Sequence, residues 1–174
     1  VRAQGELDWI ARGSLILGDR LYSLPQYFHV LAGMGVYGLF RKHGNLKIKR
    51  LEVLSAKREG RQFLEDVLVE VGCGSVQREA KLTLRLIRFR GQGRALDLLT
   101  SVLDPKKLTA AQAVEVYGLR WTIERMFLDM KKTLKLHGIY ATHPNLVAQQ
   151  VYATAMVYNA FRVAQAHIAA RAKV

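Results

Sequence analysis

Hydrophobic and polar positions in the first 41 residues predict a short α/β unit. Residues 14–19 form an apolar run that ends in Asp19, as in a buried strand with the acid at its end. Ser23, Pro25 and Gln26 predict a helix with Ser23 as its N-cap, and residues 36–41 predict a second strand. Because sites in open α/β sheets gather at the carboxyl ends of strands, Asp19 is a candidate functional residue.

Residues 46–99 change to alternating apolar and polar positions, interrupted by turns that contain glycine. This pattern predicts a meander of antiparallel strands. A change of frame beside Leu86 and Ile87 predicts a β-bulge there. Residues 96–103 predict a further buried strand, closed by Asp104 and Pro105.

The rest of the chain predicts two long helices. Thr109 and Gln112 form a capping-box pattern at the start of the first helix, and Gly138 is a natural stop. Residues 142–170 predict the second helix, and residues 4–12 predict a short one before the first strand. The predicted organisation is an α/β fold with part of a core at 1–45, a β insertion at 46–94, and the remaining core with the two helices at 95–174.

The excess of basic over acidic residues indicates what kind of partner the chain binds. The chain has 27 Lys and Arg against 14 Asp and Glu, a net charge of +13, which favours a polyanion such as nucleic acid. Cys73 is the only cysteine, which excludes a disulfide framework and fits a reducing, intracellular setting. The longest stretch without acidic or basic residues, 136–161, has too many polar side chains for a membrane span.

Four hydrogen-bonding side chains share one strip of the predicted first long helix: Tyr117, Arg120, Glu124 and Lys131. At about 100° per residue they lie within roughly 60° of one another, with apolar side chains on both sides. One interpretation is structural, because Arg120 and Glu124 have the spacing of an ordinary ion pair on a helix. The other is a functional site, and the spacing alone leaves both open.

The same residues carry a family resemblance. The pattern Tyr117-x2-Arg120-x3-Glu124-x6-Lys131 resembles the Tyr-Arg-Glu-Lys signature of DDE transposases of the insertion-sequence-four class. The flanking segments 98–104 and 156–162 are similar as well, and residues 15–22 resemble the strand that presents the second catalytic aspartate. The resemblance covers roughly residues 6–165. It implies a ribonuclease-H-like core with a β insertion.

The resemblance also implies chemistry. In that family three carboxylates hold two divalent cations, Mg²⁺ or Mn²⁺, which activate water and then a 3′-hydroxyl against DNA phosphodiesters. Asp19 and Glu124 would be catalytic residues and metal ligands. Arg120 and Lys131 would hold phosphates, and Tyr117 would hydrogen-bond to one. The implied partners are transposon ends, target DNA and a second copy of the chain in a synaptic dimer, with no membrane, in the bacterial cytoplasm at the nucleoid.

Other arginines complete the expected DNA surface. Arg20 adjoins Asp19, and the strand at 81–94 carries Arg85, Arg88 and Arg90. We expect the strand arginines to contact phosphates, with binding that weakens as salt increases. For Arg20 two interpretations stay open, a phosphate contact or a side chain that is merely solvated.

The first carboxylate of the family is missing from this pattern. Only 18 residues precede Asp19, too few for the strands that normally come before it. We therefore expect an N-terminally truncated chain that is inactive alone. The predicted insertion also has no Trp to stack a flipped base, and Phe63 and Phe89 suit a core better.

Two other hypotheses fit parts of the sequence. The chain could be a catalytically inactive DNA-binding remnant, or a regulator that pairs with intact enzyme. It could also be an unrelated basic RNA-binding protein, although the predicted strands carry Arg and Lys where aromatic stacking residues would be expected.

Overall fold

The computed structural model describes residues 10–72, 81–91, 93–132, 134–135, 138 and 142–172. The chain forms two compact units, Val1–Arg120 and Trp121–Val174. The short helix expected at residues 4–12 lies largely outside the described residues, and so does Cys73 with the turn around it. Within the described part of the chain, no helix is long and apolar enough to cross a membrane.

The first unit begins with the expected strand, helix and strand. Strand β1 (Leu15–Gly18) and strand β2 (Tyr37–Arg41) pair in parallel, and helix α1 (Pro25–Gly33) connects them. The predicted N-cap is wrong, because Leu24 occupies that position. The Ser23 hydroxyl instead donates to the Arg20 carbonyl at 2.9 Å and accepts from the His43 amide at 2.8 Å.

The expected antiparallel meander follows. It consists of β3 (Ile48–Glu59), β4 (Gln62–Val71), β5 (Leu82–Gly91) and β6 (Arg94–Thr100). Strand β6 then pairs antiparallel with β2, so one six-stranded sheet has the order β1-β2-β6-β5-β4-β3. The predicted bulge near Leu86 is wrong: β5 pairs in continuous register, and the shifts lie in edge strand β3, between Arg50 and Glu52 and between Val53 and Ser55. Bulges of this kind are common at sheet edges.

Both faces of the sheet carry a hydrophobic core. Phe28 and Leu31 of α1 pack on one face, together with Phe40, Leu84 and other residues of β4–β6. Helix α2 (Ala110–Gly118) packs on the other face through Ala113 and Tyr117, against Leu39, Ile87 and Leu98. The two-sided cover explains why four consecutive residues in the middle of β5 are buried.

Helix α2 begins with the predicted capping box. Gln112 N–H donates to the Thr109 hydroxyl at 3.2 Å, and Thr109 N–H donates to the Gln112 side chain at 3.0 Å. The prediction of one long helix from here to Gly138 is wrong. Helix α2 ends at Gly118, a weak helix former, and bonds from Leu119 and Arg120 to carbonyls three residues back tighten the turn.

The second unit contains helix α3 (Trp121–Lys132) and helix α4 (Pro144–Ala172), and α4 agrees with the second predicted helix. The fold is mixed α/β, as predicted. The predicted division at 1–45, 46–94 and 95–174 stays a prediction.

Candidate active site

Asp19 follows β1 directly and lies at the carboxyl end of the parallel pair β1–β2. Its side chain is exposed and accepts no hydrogen bond from the turn Arg20–Tyr22 that follows it. The backbone carbonyl of Asp19 accepts one instead, from the Tyr22 amide at 3.1 Å. The backbone at Gly18 passes close to the ring of Phe40, which is itself buried: a Cβ on Gly18 would lie 2.7 Å from Cδ1 of Phe40. This close passage of the backbone, which only glycine allows, places the Asp19 carboxylate at the edge of the sheet.

Tyr117 reaches the same edge from helix α2. Its side chain is only 4% exposed, and burial raises the pKa of the Tyr117 hydroxyl above its ordinary value. Arg120 and Arg41 act against this and lower that pKa, whereas the Asp19 carboxylate raises it. Since these charges are close enough to shift the titration of one hydroxyl, Tyr117, Arg120, Arg41 and Asp19 form one cluster in the first unit.

Arg120 is the nearest cation of this cluster. Its guanidinium carbon lies 5.8 Å from the centre of the Tyr117 ring, and the two side chains are hydrogen-bonded. The ordinary pKa of a tyrosine, about 10, already keeps the Tyr117 hydroxyl protonated at neutral pH, and the upward direction of its shift leaves it so. The hydroxyl therefore remains a hydrogen-bond donor. A protonated hydroxyl, two guanidinium groups and one carboxylate can bind an anionic oxygen and a cation side by side.

The sequence identified three members of this cluster and missed Arg41. Arg41 ends β2 just as Asp19 follows β1, and the carboxyl ends of neighbouring parallel strands lie at the same edge. This signal was present, because residues 14–41 predict strand, helix, strand.

Glu124 and Lys131 belong to the second unit, where each is exposed on α3. They lie seven residues apart, so at about 100° per residue they share one face of that helix. Their approach to the Asp19 cluster stays a prediction.

The arginines expected to contact DNA lie in different surroundings. Arg20 is exposed. Arg88 is half-buried and points to Glu65 at 3.4 Å, which also pairs with Arg50 at 2.5 Å. Arg90 is paired with Asp97 at 2.7 Å.

The prediction that Arg85 lies on the DNA-binding surface is wrong. Its side chain is 0% exposed and forms an ion pair with buried Asp66. The same guanidinium donates to the carbonyls of Val102 and Leu108, each at 2.9 Å. Arg85 lies under the segment that leads into α2, so it cannot reach a phosphate. The alternating pattern suggested an exposed face because it does not show that α2 covers β5.

The donor chemistry of the cluster can be compared with that of a divalent cation. Mg²⁺ and Mn²⁺ take carboxylate oxygens, and the exposed Asp19 carboxylate, which forms no ion pair among the described residues, fits as one donor. Across the described ranges, no three His, Cys, Asp or Glu residues lie close enough together to hold a metal ion. Asp19 therefore fits a metal as one ligand, and further ligands have to come from outside the cluster.

Comparison with known proteins gives a consistent result. The family model described as "Transposase DDE domain" matches residues 3–160. The chain is 23% identical to "Putative transposase y4zB" of Sinorhizobium fredii over 158 residues, which cover 89% of the chain and 44% of that relative. It is 27% identical over 84 residues to "Transposase InsG for insertion sequence element IS4" of Escherichia coli, covering 47% of the chain and 19% of the relative. The chain thus spans less than half the length of either relative.

Proposed function

Because the chain belongs to the DDE transposase family, of the insertion-sequence-four type, we propose that it supplies part of the catalytic domain of an enzyme that cuts and joins DNA during transposition. The observation that carries this proposal is the cluster at the end of β1. Asp19 lies about a hundred residues before Tyr117 and Arg120 in the sequence, yet all three belong to one cluster, and each stands at a position that resembles one of the family motif. We also propose a ribonuclease-H-like core for the complete protein.

Asp19 and Glu124 are the proposed metal ligands and catalytic carboxylates. The family uses divalent metals in general, and carboxylate ligands suit Mg²⁺ or Mn²⁺. When bound, a pair of such ions would stabilise the attacking and leaving oxygens of phosphodiester exchange. A third carboxylate, the first of the family, is proposed to lie in a part of the protein that this chain does not supply.

Tyr117, Arg120 and Lys131 are the proposed contacts to phosphate near the cut. The protonated Tyr117 hydroxyl donates one hydrogen bond, Arg120 offers a planar fork, and Lys131 offers a point charge. Arg20 remains a proposed DNA contact. Arg88 and Arg90 are proposed only as weaker ones, since Glu65 and Asp97 neutralise part of their charge.

The proposed partners are transposon-end and target DNA, bound by two copies of the protein in a synaptic complex. The proposed location is the bacterial cytoplasm, where the nucleoid supplies the target. A catalytically inactive remnant or regulator that binds DNA is the alternative function, and the net charge of +13 is compatible with it.

The test is DNA cleavage by the complete reading frame that encodes this chain. With Mg²⁺ or Mn²⁺ we expect cleavage at the element's ends, lost in both Asp19→Asn and Glu124→Gln while DNA binding is retained. Lys107→Gln, an exposed change between β6 and α2, is the control and should cleave normally. Undiminished cleavage by either carboxylate variant would contradict the ligand assignment, and DNA binding without any cleavage by the complete protein would favour the regulator. For the 174-residue chain alone we expect binding without cleavage.

A further inference from the structure

A basic cleft lies where the β5–β6 hairpin extends beyond the carboxyl end of β2. Its volume is about 250 Å³. The charged residues that line it are Arg20, Arg41, Lys42, Arg90 and Asp97. Four cations therefore face one acid in a space below the ~300–1,000 Å³ of ordinary small-molecule pockets.

The single acid of the cleft is already neutralised. Asp97 pairs with Arg90 at 2.7 Å, and Arg90 is fixed further by donating to the carbonyls of Phe89 and Leu96, each at 2.9 Å. The Lys42 ammonium donates to the His43 carbonyl at 3.0 Å and keeps its full charge. Three positive charges are left over, so the cleft is suited to an anion.

Two of these cations have no opposite charge to hold them. Among the residues that the structure describes, neither Arg20 nor Arg41 forms an ion pair. Guanidinium forks and an ammonium group are the donors that phosphate oxygens accept most readily.

Arg41 connects the cleft with the cluster around Asp19. It lines the cleft and also lies beside Asp19, because Arg41 follows Phe40 in β2 just as Asp19 follows Gly18, the partner of Phe40 in β1. A strand with one phosphate at Tyr117 and Arg120 would thus pass Arg41 and bring another phosphate to the cleft.

We propose that this cleft seats a backbone phosphate of the DNA strand, beside the phosphate that Tyr117 and Arg120 contact. The proposal rests on the proposed function and adds Arg41 and Lys42 to the DNA-binding residues. The described residues that line the cleft include no aromatic ring on which a base could stack, so a phosphate within a strand suits it better than a free nucleotide. Free inorganic phosphate shares the chemistry, and the experiment separates the two.

The experiment compares double variants of the 174-residue chain that remove the same charge. Arg41→Gln/Lys42→Gln removes two cations from the cleft. Lys106→Gln/Lys107→Gln removes two exposed cations beyond the opposite end of β6. Arg20→Gln is an additional exposed single change that leaves packing intact. Binding to fluorescent duplex DNA is measured by anisotropy between 50 and 200 mM salt, with circular dichroism as the check of folding.

For Arg41→Gln/Lys42→Gln we expect DNA binding about tenfold weaker or more, as for lost charge-assisted hydrogen bonds. The slope of log K against log salt should become shallower by about 0.9 for the one phosphate released. Arg20→Gln should change both quantities in the same sense, and Lys106→Gln/Lys107→Gln should change them much less. Inorganic phosphate at 1 mM should not displace the DNA.

Several outcomes would overturn the proposal. If both double variants weaken binding equally, the effect is net charge and the cleft is no site. If millimolar phosphate displaces the DNA from the wild-type chain but not from the Arg41→Gln/Lys42→Gln variant, the ligand is a free phosphate and not a strand. If the wild-type chain binds no DNA, the proposed function fails, which is a different result from a cleft variant that binds as the wild type does.

Discussion

The buried ion pair between Arg85 and Asp66 predicts a large loss of stability when one partner is removed. Arg85→Met keeps much of the side-chain volume but leaves the Asp66 carboxylate buried without its counter-charge. It also removes the donor to the carbonyls of Val102 and Leu108. Breaking a buried pair in this way costs about 3–5 kcal/mol, because the remaining charge is uncompensated.

Native-state hydrogen exchange is the appropriate assay, because it reads single amides and those of β4 and β5 report on the first unit. A loss of about 3–5 kcal/mol lowers their protection by about 100-fold to 4,000-fold. The control is Arg50→Met, which breaks the pair of half-exposed Arg50 with Glu65. Because Glu65 keeps Arg88 as a second cation at 3.4 Å, this loss should be only about 1 kcal/mol. Asp66→Leu added to Arg85→Met should restore part of the loss, because the unpaired carboxylate is gone.

Equal protection of the β4 and β5 amides in Arg85→Met and in Arg50→Met would show that the buried pair does not stabilise the first unit as expected. An Arg85→Met chain of unchanged stability whose DNA binding falls would restore Arg85 as a phosphate contact. Such a result would also mean that α2 does not cover β5 as described.

Two further predictions concern the residues of the site. The titration of Tyr117 is measured as the difference in absorbance at 295 nm between the wild-type chain and Tyr117→Phe. Because burial raises the pKa of Tyr117, the midpoint should lie above pH 10, and because Arg120 lowers this pKa, the midpoint should be higher still in Arg120→Gln. A midpoint at or below pH 10 would contradict the burial of Tyr117. The raised pKa contributes stability that is fully present below about pH 10, the unfolded value, and is lost as the pH rises through the folded pKa. Gly18→Ala should lower the free energy of unfolding by about 1–3 kcal/mol, because the added Cβ would overlap Phe40. The control is Gly33→Ala, where nothing lies within 4 Å of the added atom, and it should not destabilise the chain. Equal denaturation midpoints for the two variants would count against the tight contact at Gly18.

The elements that were predictable from sequence are those with a local signal. The strand, helix and strand before residue 41 carry apolar runs and a proline at the helix start, and the capping box at Thr109 is visible in four residues. The break between α2 and α3 was not predicted, because the hydrophobic period continues across it while the backbone tightens at Leu119 and Arg120.

The candidate site was predictable as far as single motifs go. Asp19 was identified from its place at a strand end, and Tyr117 and Arg120 from the resemblance of their spacing to the family signature; the structure puts the three in one cluster. Arg85 was misassigned because the cover of β5 by α2 is a property of tertiary packing that the strand pattern does not contain. Arg41 was missed for a different reason: the predicted strand ends at 14–41 did place it beside Asp19, and only Asp19 was singled out there.

The central proposal is that Asp19 and Glu124 bind the same pair of divalent ions. Paired catalytic metals lie only about 3.5–4 Å apart, so the proposal requires both carboxylates to approach one location. Residue-specific NMR line broadening by Mn²⁺ on the isotope-labelled chain measures this directly, because a paramagnetic ion broadens signals close to it. The account predicts that low Mn²⁺ broadens the amide signals around Asp19 and Glu124 together, and that Asp19→Asn weakens the broadening at both. Broadening at only one of the two, or the same broadening around Glu124 with and without Asp19, would contradict it.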